Sequence, residues 1–209
     1  MKSTIQKKYL RRAKIIAYLL QLAPFTRMVA LTGSLAKGEA TEKSDIDFFV
    51  VAKKGRIWTC RTFVTMLVSL TGYRRHGNHI AGRICLNCYQ TEDNLGIKPR
   101  NSYTASDYSK AKPLWETNNI YAKYIKINDW IYKKFKNKIK VDKPEIKISK
   151  ILSILQKILE KIFDSNWLER KLKVYQVKRI KSDPRTKNSP KGSIFVSDKE
   201  LRFHPLKED

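Results

Sequence analysis

ALTGSLAKGEATEKSDIDFFVV, residues Ala30 to Val51, joins two apolar runs through a polar loop. The first run, Met28–Leu31, delivers the pair Gly33-Ser34. The second opens on Asp45-Ile46-Asp47 and continues to Ala52. On a strand, side chains alternate between faces, so Asp45 and Asp47 share one face while Ile46 and Phe48 point to the other. Two carboxylates this close raise each other's pKa unless a cation stands with them. Hard oxygen ligands of this type suit Mg²⁺. Gly33 permits close backbone approach, and Ser34 with the amides that follow can meet phosphate oxygens at a helix start. Metal and phosphate chemistry therefore converge on one turn.

Gly33-Ser34, ten intervening residues and then Asp45-Ile46-Asp47 before an apolar run resemble the signature of the DNA polymerase beta-like nucleotidyltransferase superfamily, especially its small stand-alone bacterial members. The resemblance implies an α/β (α+β) fold, with a small mixed sheet flanked by helices. It also implies transfer of a nucleoside monophosphate from a nucleoside triphosphate to a hydroxyl acceptor. On that pattern Asp45 and Asp47 hold Mg²⁺, and Gly33 and Ser34 hold the β- and γ-phosphates. ATP is the expected donor, while the acceptor and the nucleotide's base are not specified. Residues 1–98 are expected to form the nucleotidyltransferase core, and residues 99–209 a mainly helical C-terminal region.

A chain of 209 residues forms one domain or two small ones, and 42% hydrophobic residues indicate a folded protein. The formal net charge is +25. Residues 1–100 carry 18 basic and 6 acidic side chains and residues 101–209 carry 26 and 13, so the excess is spread evenly. Lysine outnumbers arginine 31 to 13, with many Ile and Asn residues, a bias typical of AT-rich coding sequence. A polyanionic partner such as RNA stays open. No run has the length of a membrane span. Basic residues precede the apolar stretch Ile15–Leu22 as in a signal peptide, but Gln21 interrupts it, so a cytoplasmic location is expected.

Ser3 or Thr4 caps an expected helix whose stripe of Ile5, Tyr9, Ala13, Ile16 and Leu20 ends before Pro24. Lys37 lies within the turn or helix after Ser34, where it stands in solvent or reaches a triphosphate. Asp45–Ala52 is apolar on both faces after Asp47, which marks a central strand. Ile57–Leu70 follows as an amphipathic helix closed by Gly72, with Arg61 facing solvent or a nucleotide. Tyr73-Arg74-Arg75-His76 is a basic patch, read either as a phosphate contact or as a solvated loop. Ile80–Tyr89 reads as the next strand.

Beyond Lys98 a short helix is expected over Tyr103–Ala111, broken by Pro113, and a longer one over Asn119–Phe135. A Lys-rich connector (137–147) precedes a long helical pattern from Ser149 to Ile180, with a kink near Asn166. Its stripe of Ile151, Ile154, Leu155, Ile158, Leu159, Ile162 and Phe163 covers the sheet or pairs with a second copy. Ile194–Ser197 suggests a short strand, and His204 is a surface histidine or an active-site residue.

Members of the superfamily usually draw a third carboxylate from a strand near Ile80–Tyr89. Here that strand offers Arg83, Asn87, Cys85 and Cys88 but no acid, and Glu92 and Asp93 come after it. The amide of Asn87 coordinates weakly and cannot serve as a base. His76-x-x-His79 with Cys85-x-x-Cys88 has ligand types that suit zinc, although cysteines three apart on a regular strand face opposite ways. The missing acid admits a second reading, a catalytically degenerate interaction or antitoxin-like module. A nucleic-acid-binding protein working through its charge is a third.

Overall fold

The computed structural model describes residues 2–135, 141–190 and 193–203. Helix α1 (Lys2–Leu19) runs into a 3₁₀ turn at Leu20–Leu22, followed by β1 (Thr26–Thr32), α2 (Gly33–Lys37), β2 (Ile46–Ala52), α3 (Ile57–Leu70) and β3 (Ile84–Thr91). Then come α4 (Ser102–Tyr108), β4 (Lys112–Glu116), α5 (Ile120–Ile127), α6 (Asp129–Lys134), α7 (Lys150–Phe163), α8 (Asn166–Ser182), α9 (Pro184–Lys187), β5 (Phe195–Val196) and β6 (Glu200–Arg202). The strands form one mixed sheet in the order β4-β1-β2-β3-β6-β5. β2 and β3 are parallel, and the other neighbours are antiparallel. The α/β class and the sheet flanked by helices are as the motif implied.

β2 is buried along its whole length, which fits its two-sided apolar sequence. Ile46, Phe48, Val50 and Ala52 join the core formed with α1 and α3, through residues such as Ile16, Ala17, Trp58 and Val64. Phe49 and Val51 face a second core with Tyr108, Tyr121 and Tyr124. Alternation puts Asp47 on this second face, the side of α4.

The sheet takes strands from both sides of residue 98, and the C-terminal half, though mainly helical, contributes β4, β5 and β6. Pro113, expected to break a helix, lies in β4. This is an edge strand, where a missing N–H is tolerated. Trp115 beside it donates from Nε1 to Ala17 O at 2.7 Å, tying β4 to α1. The helix expected over Asn119–Phe135 is interrupted at Asn128, which is fully buried. Its Nδ2 donates to Leu95 O at 2.7 Å, and its Oδ1 accepts from Ile97 N at 2.8 Å. The side chain satisfies backbone groups of the preceding loop at the point where the helix breaks.

The long C-terminal helix is likewise two helices. Ser165 caps α8 by accepting from Leu168 N, so Asn166 opens the second helix instead of kinking one. The expected apolar stripe of α7 is divided. Phe163 packs on the core, but Ile151, Ile154, Leu155, Ile158 and Ile162 face outward. Polar residues hold the inner face instead. Gln156 donates to Ala23 O at 2.8 Å, and Glu160 accepts from Phe25 N at 2.8 Å while pairing with Arg27. Lys2 already belongs to α1, so Ser3 and Thr4 lie inside that helix rather than capping it. His204 and the connector residues 137–140 lie outside the described residues. No described helix is long and apolar enough to cross a membrane.

Candidate functional site

The register of β1 on β2 builds the site. Thr32, the last residue of β1, pairs with Asp47, so the glycine that follows it meets the carboxylate. Gly33 has φ +65°, a left-handed conformation that favours glycine. A Cβ on Gly33 would lie 2.4 Å from Asp47 Oδ2 and 3.2 Å from its Cγ. No side chain fits between the turn and the carboxylate. α2 begins at Gly33-Ser34 and ends at Gly38, whose N–H bonds back to Leu35 O.

Asp45 lies just before β2 and is held from both sides. Ser44 O accepts from Gly82 N at 2.7 Å, and Ile46 N donates to Arg83 O at 2.8 Å. Loop closure comes from Ser44, whose Oγ accepts from Thr41 N. Burial, with the neighbouring Asp47 adding to it, holds the Asp45 carboxyl above the usual aspartate range, while Arg75 pulls the other way. Ligand atoms of Asp45, Asp47 and Cys85 lie within 4.8 Å of one another. Burial, then Asp47 and Asp45, pushes the Cys85 thiol well up, so sulfur stays protonated and the two carboxylates are the hard donors of the group.

Two further contacts close around the carboxylates. Asn87, almost wholly buried, donates from Nδ2 to Asp47 Oδ1 at 2.7 Å. Arg75 donates from Nη1 to Asp45 Oδ2 at 2.6 Å and reaches Cys85 Sγ at 3.5 Å. The segment carrying Arg75 is pinned along β3, with Arg75 N donating to Ile84 O and Ile84 N to Tyr73 O. Lys37 bridges from α2 to α4 instead of standing in solvent. Its Nζ donates to Ser106 Oγ at 3.0 Å and pairs with Asp107 at 3.3 Å.

The structure thus gathers Gly33, Asp45 and Asp47, with Ser34 opening α2 on the same turn. Arg61 points elsewhere. It lies in the interface with α8, its Nη1 donating to Gln176 Oε1 at 2.5 Å. His76 and His79 pair with each other, ring centroids 5.0 Å apart, and do not join the cysteines. A bulge between the pairs Asp47–Cys85 and Phe49–Cys88 turns both cysteines to one side of the sheet, against the alternation a regular strand implies. Cys85 then stands by the carboxylates, and Cys88 packs in the core with Phe49 and Tyr108.

Sequence reasoning missed Arg75 as a carboxylate partner, Cys85 as a member of the group and Asp107 as the partner of Lys37. Only the parity of β3 offered a signal. With the strand starting at Ile84, Cys85 and Asn87 fall on the face opposite Ile84.

Neither the curated proteins nor the solved structures searched match this chain. The family model described as "Nucleotidyltransferase domain" matches residues 12–183, a span that includes every site residue named above. The chain belongs to the nucleotidyltransferase domain family.

Proposed function

We propose that the chain binds a nucleoside triphosphate with a divalent cation at the turn between β1 and β2, and transfers its nucleoside monophosphate to a hydroxyl acceptor with release of pyrophosphate. The observation that carries this reading is the 2.4 Å approach of Asp47 Oδ2 to the position of a Gly33 Cβ, which joins the phosphate turn to the carboxylate strand. Asp45 and Asp47 are the ligands of the cation. Their oxygens are hard donors of the kind that suits Mg²⁺. When bound, the ion supplies charge neutralisation on the triphosphate. Gly33 and Ser34 position the β- and γ-phosphates, and ATP is the donor we expect. The net charge of +25 favours an anionic acceptor, an RNA end among them. Three free thiols fit a reducing compartment, and the cytoplasm is where we place the chain.

A second reading has one observation behind it. Asn87 is the β3 side chain bonded to Asp47, and an amide cannot take a proton from an attacking hydroxyl. On that reading the domain binds nucleotide without turning it over. Calorimetry with Mg²⁺ and each of ATP, GTP, CTP and UTP tests the shared core of both, using the native chain and an Asp45→Asn, Asp47→Asn double variant. Metal-dependent binding that the double variant loses is expected. Equal binding by both proteins, or by neither, overturns the nucleotide site.

A further inference from the structure

Two paired carboxylates can serve one divalent ion or two. A carboxylate that bridges two ions gives one oxygen to each, as in sites where two ions clamp the attacking and leaving oxygens. The contacts around Asp45 and Asp47 distinguish these cases, and the distinction rests on the nucleotide site proposed above. Asp47 Oδ1 accepts the Nδ2–H of Asn87 at 2.7 Å, and both residues are buried. Asp45 Oδ2 accepts from Arg75 Nη1 at 2.6 Å. One oxygen of each carboxylate is therefore engaged by a donor that the chain itself supplies. Asp47 Oδ2, the oxygen turned to Gly33, lies on the side of the Gly-Ser turn.

We propose that this site takes a single divalent ion, accompanying the nucleotide. Arg75 supplies a second positive charge at the carboxylate pair, and Asn87 brings a neutral amide to Asp47, so the pair gains no further negative charge with which to hold a second ion.

Arg75 is suited to this by position. Its backbone is paired with β3 through Ile84, which places the side chain within reach of Asp45. The same nitrogen reaches Cys85 Sγ at 3.5 Å, which fills the remaining corner of the group. A guanidinium is permanently charged and cannot exchange as a hydrated ion does. The Asn87 amide, which donates from Nδ2 to Asp47, can offer an ion only a neutral carbonyl oxygen. Arg75 and Asn87 thus set a permanent positive charge and a neutral amide against the two carboxylates.

The test is electron paramagnetic resonance of Mn²⁺ titrated into the full chain with one equivalent of a non-hydrolysable ATP analogue, retention of the analogue being measured by equilibrium dialysis. The expected result is retained analogue with one bound Mn²⁺ per chain and the six-line spectrum of an isolated ion. Retained analogue with two ions and a spin-coupled spectrum overturns the single-ion proposal but leaves the nucleotide site standing. Failure to retain the analogue overturns the nucleotide site and this proposal with it. An Arg75→Ala, Asn87→Asp double variant is expected to rise from one ion to two. If it folds, retains the analogue and stays at one ion, Arg75 and Asn87 are not what excludes the second. If it does not fold, the count on the native chain decides alone.

Discussion

Replacing Gly33 with alanine separates what the turn needs from what the carboxylate needs. Gly33 has φ +65°, and an L-residue in the left-handed region costs roughly 1–2 kcal/mol. The new Cβ would also stand 2.4 Å from Asp47 Oδ2, a distance that forces the carboxylate to move. Asp47 is buried and bonded to Asn87 at 2.7 Å, so its displacement breaks a buried hydrogen bond, for about 1–3 kcal/mol more. Gly33→Ala should therefore destabilise by about 2–5 kcal/mol. Gly38, at the other end of α2, provides the control. Its φ is +81°, but nothing lies within 4 Å of the Cβ it would acquire. Gly38→Ala should cost only the backbone contribution, about 1–2 kcal/mol. In a chain of this size each kcal/mol lowers the melting temperature by roughly 2–4 °C, so thermal unfolding followed by circular dichroism resolves the difference. Calorimetry with Mg-ATP should show binding lost in Gly33→Ala and kept in Gly38→Ala. Equal melting temperatures for the two variants, with nucleotide binding unchanged in both, would refute the argument that Asp47 is packed against the turn.

Other perturbations probe the site charge and the supports around it. Asp45 has its pKa raised above 3.8, first by burial and then by Asp47. Folding thus favours its protonated form, a contribution fully present below 3.8 and lost as pH rises through the higher folded value. Asp45→Asn should stabilise the metal-free chain at neutral pH and abolish Mg-nucleotide binding. Binding by the native chain should weaken on acidification sooner than an ordinary aspartate predicts; an unchanged melting temperature and a flat pH profile would count against this. Glu169 on α8 accepts from Trp58 N at 2.8 Å and Thr59 N at 2.9 Å, capping α3 with a charge. Glu169→Ala should cost about 1.5–3 kcal/mol in urea unfolding and leave nucleotide binding intact. Asn128→Ala orphans the Leu95 carbonyl and the Ile97 amide, at about 1–3 kcal/mol for each unsatisfied group, again read by urea unfolding.

What could be read in the sequence was whatever a short period or a single turn encodes. α3 matches its expected span, Ile57–Leu70, because its apolar spacing and Gly72 mark both body and end. β2 was readable as a central strand from its two-sided apolar run. Strands β4 and β6 were not. Lys112–Glu116 contains a proline that only an edge position admits, and three residues of β6 carry no periodicity. The stripe on α7 shows a general limit. Periodicity identifies an apolar face but not which way it turns, and Gln156 and Glu160 turn inward because backbone groups near Ala23 and Phe25 meet them. The breaks at Asn128 and Ser165 depend in the same way on partners that only the assembled chain provides.

The site divides along the same line. Gly33, Ser34, Asp45 and Asp47 fall within fifteen residues whose spacing alone brings a turn to a strand. Arg75 reaches Asp45 across thirty positions, and Asn87 reaches Asp47 across forty, so neither contact has a local signature. Both depend on β3 lying parallel to β2, with Asp47 beside Cys85. The parallel strand and the segment paired to it bring three groups to the carboxylates: a guanidinium, an amide and a thiol. None of the three is an acid. A fold selected for stability alone gains little from a left-handed Gly33, a carboxylate raised by burial and a second carboxylate next to it. Arg75 offsets part of that charge, as its opposing effect on Asp45 indicates, but the Asp45 pKa still ends above the ordinary range. The uncompensated remainder is what a bound cation would relieve. That residual electrostatic cost in the metal-free chain is the physical reason for expecting Asp45→Asn to gain stability while losing the ion.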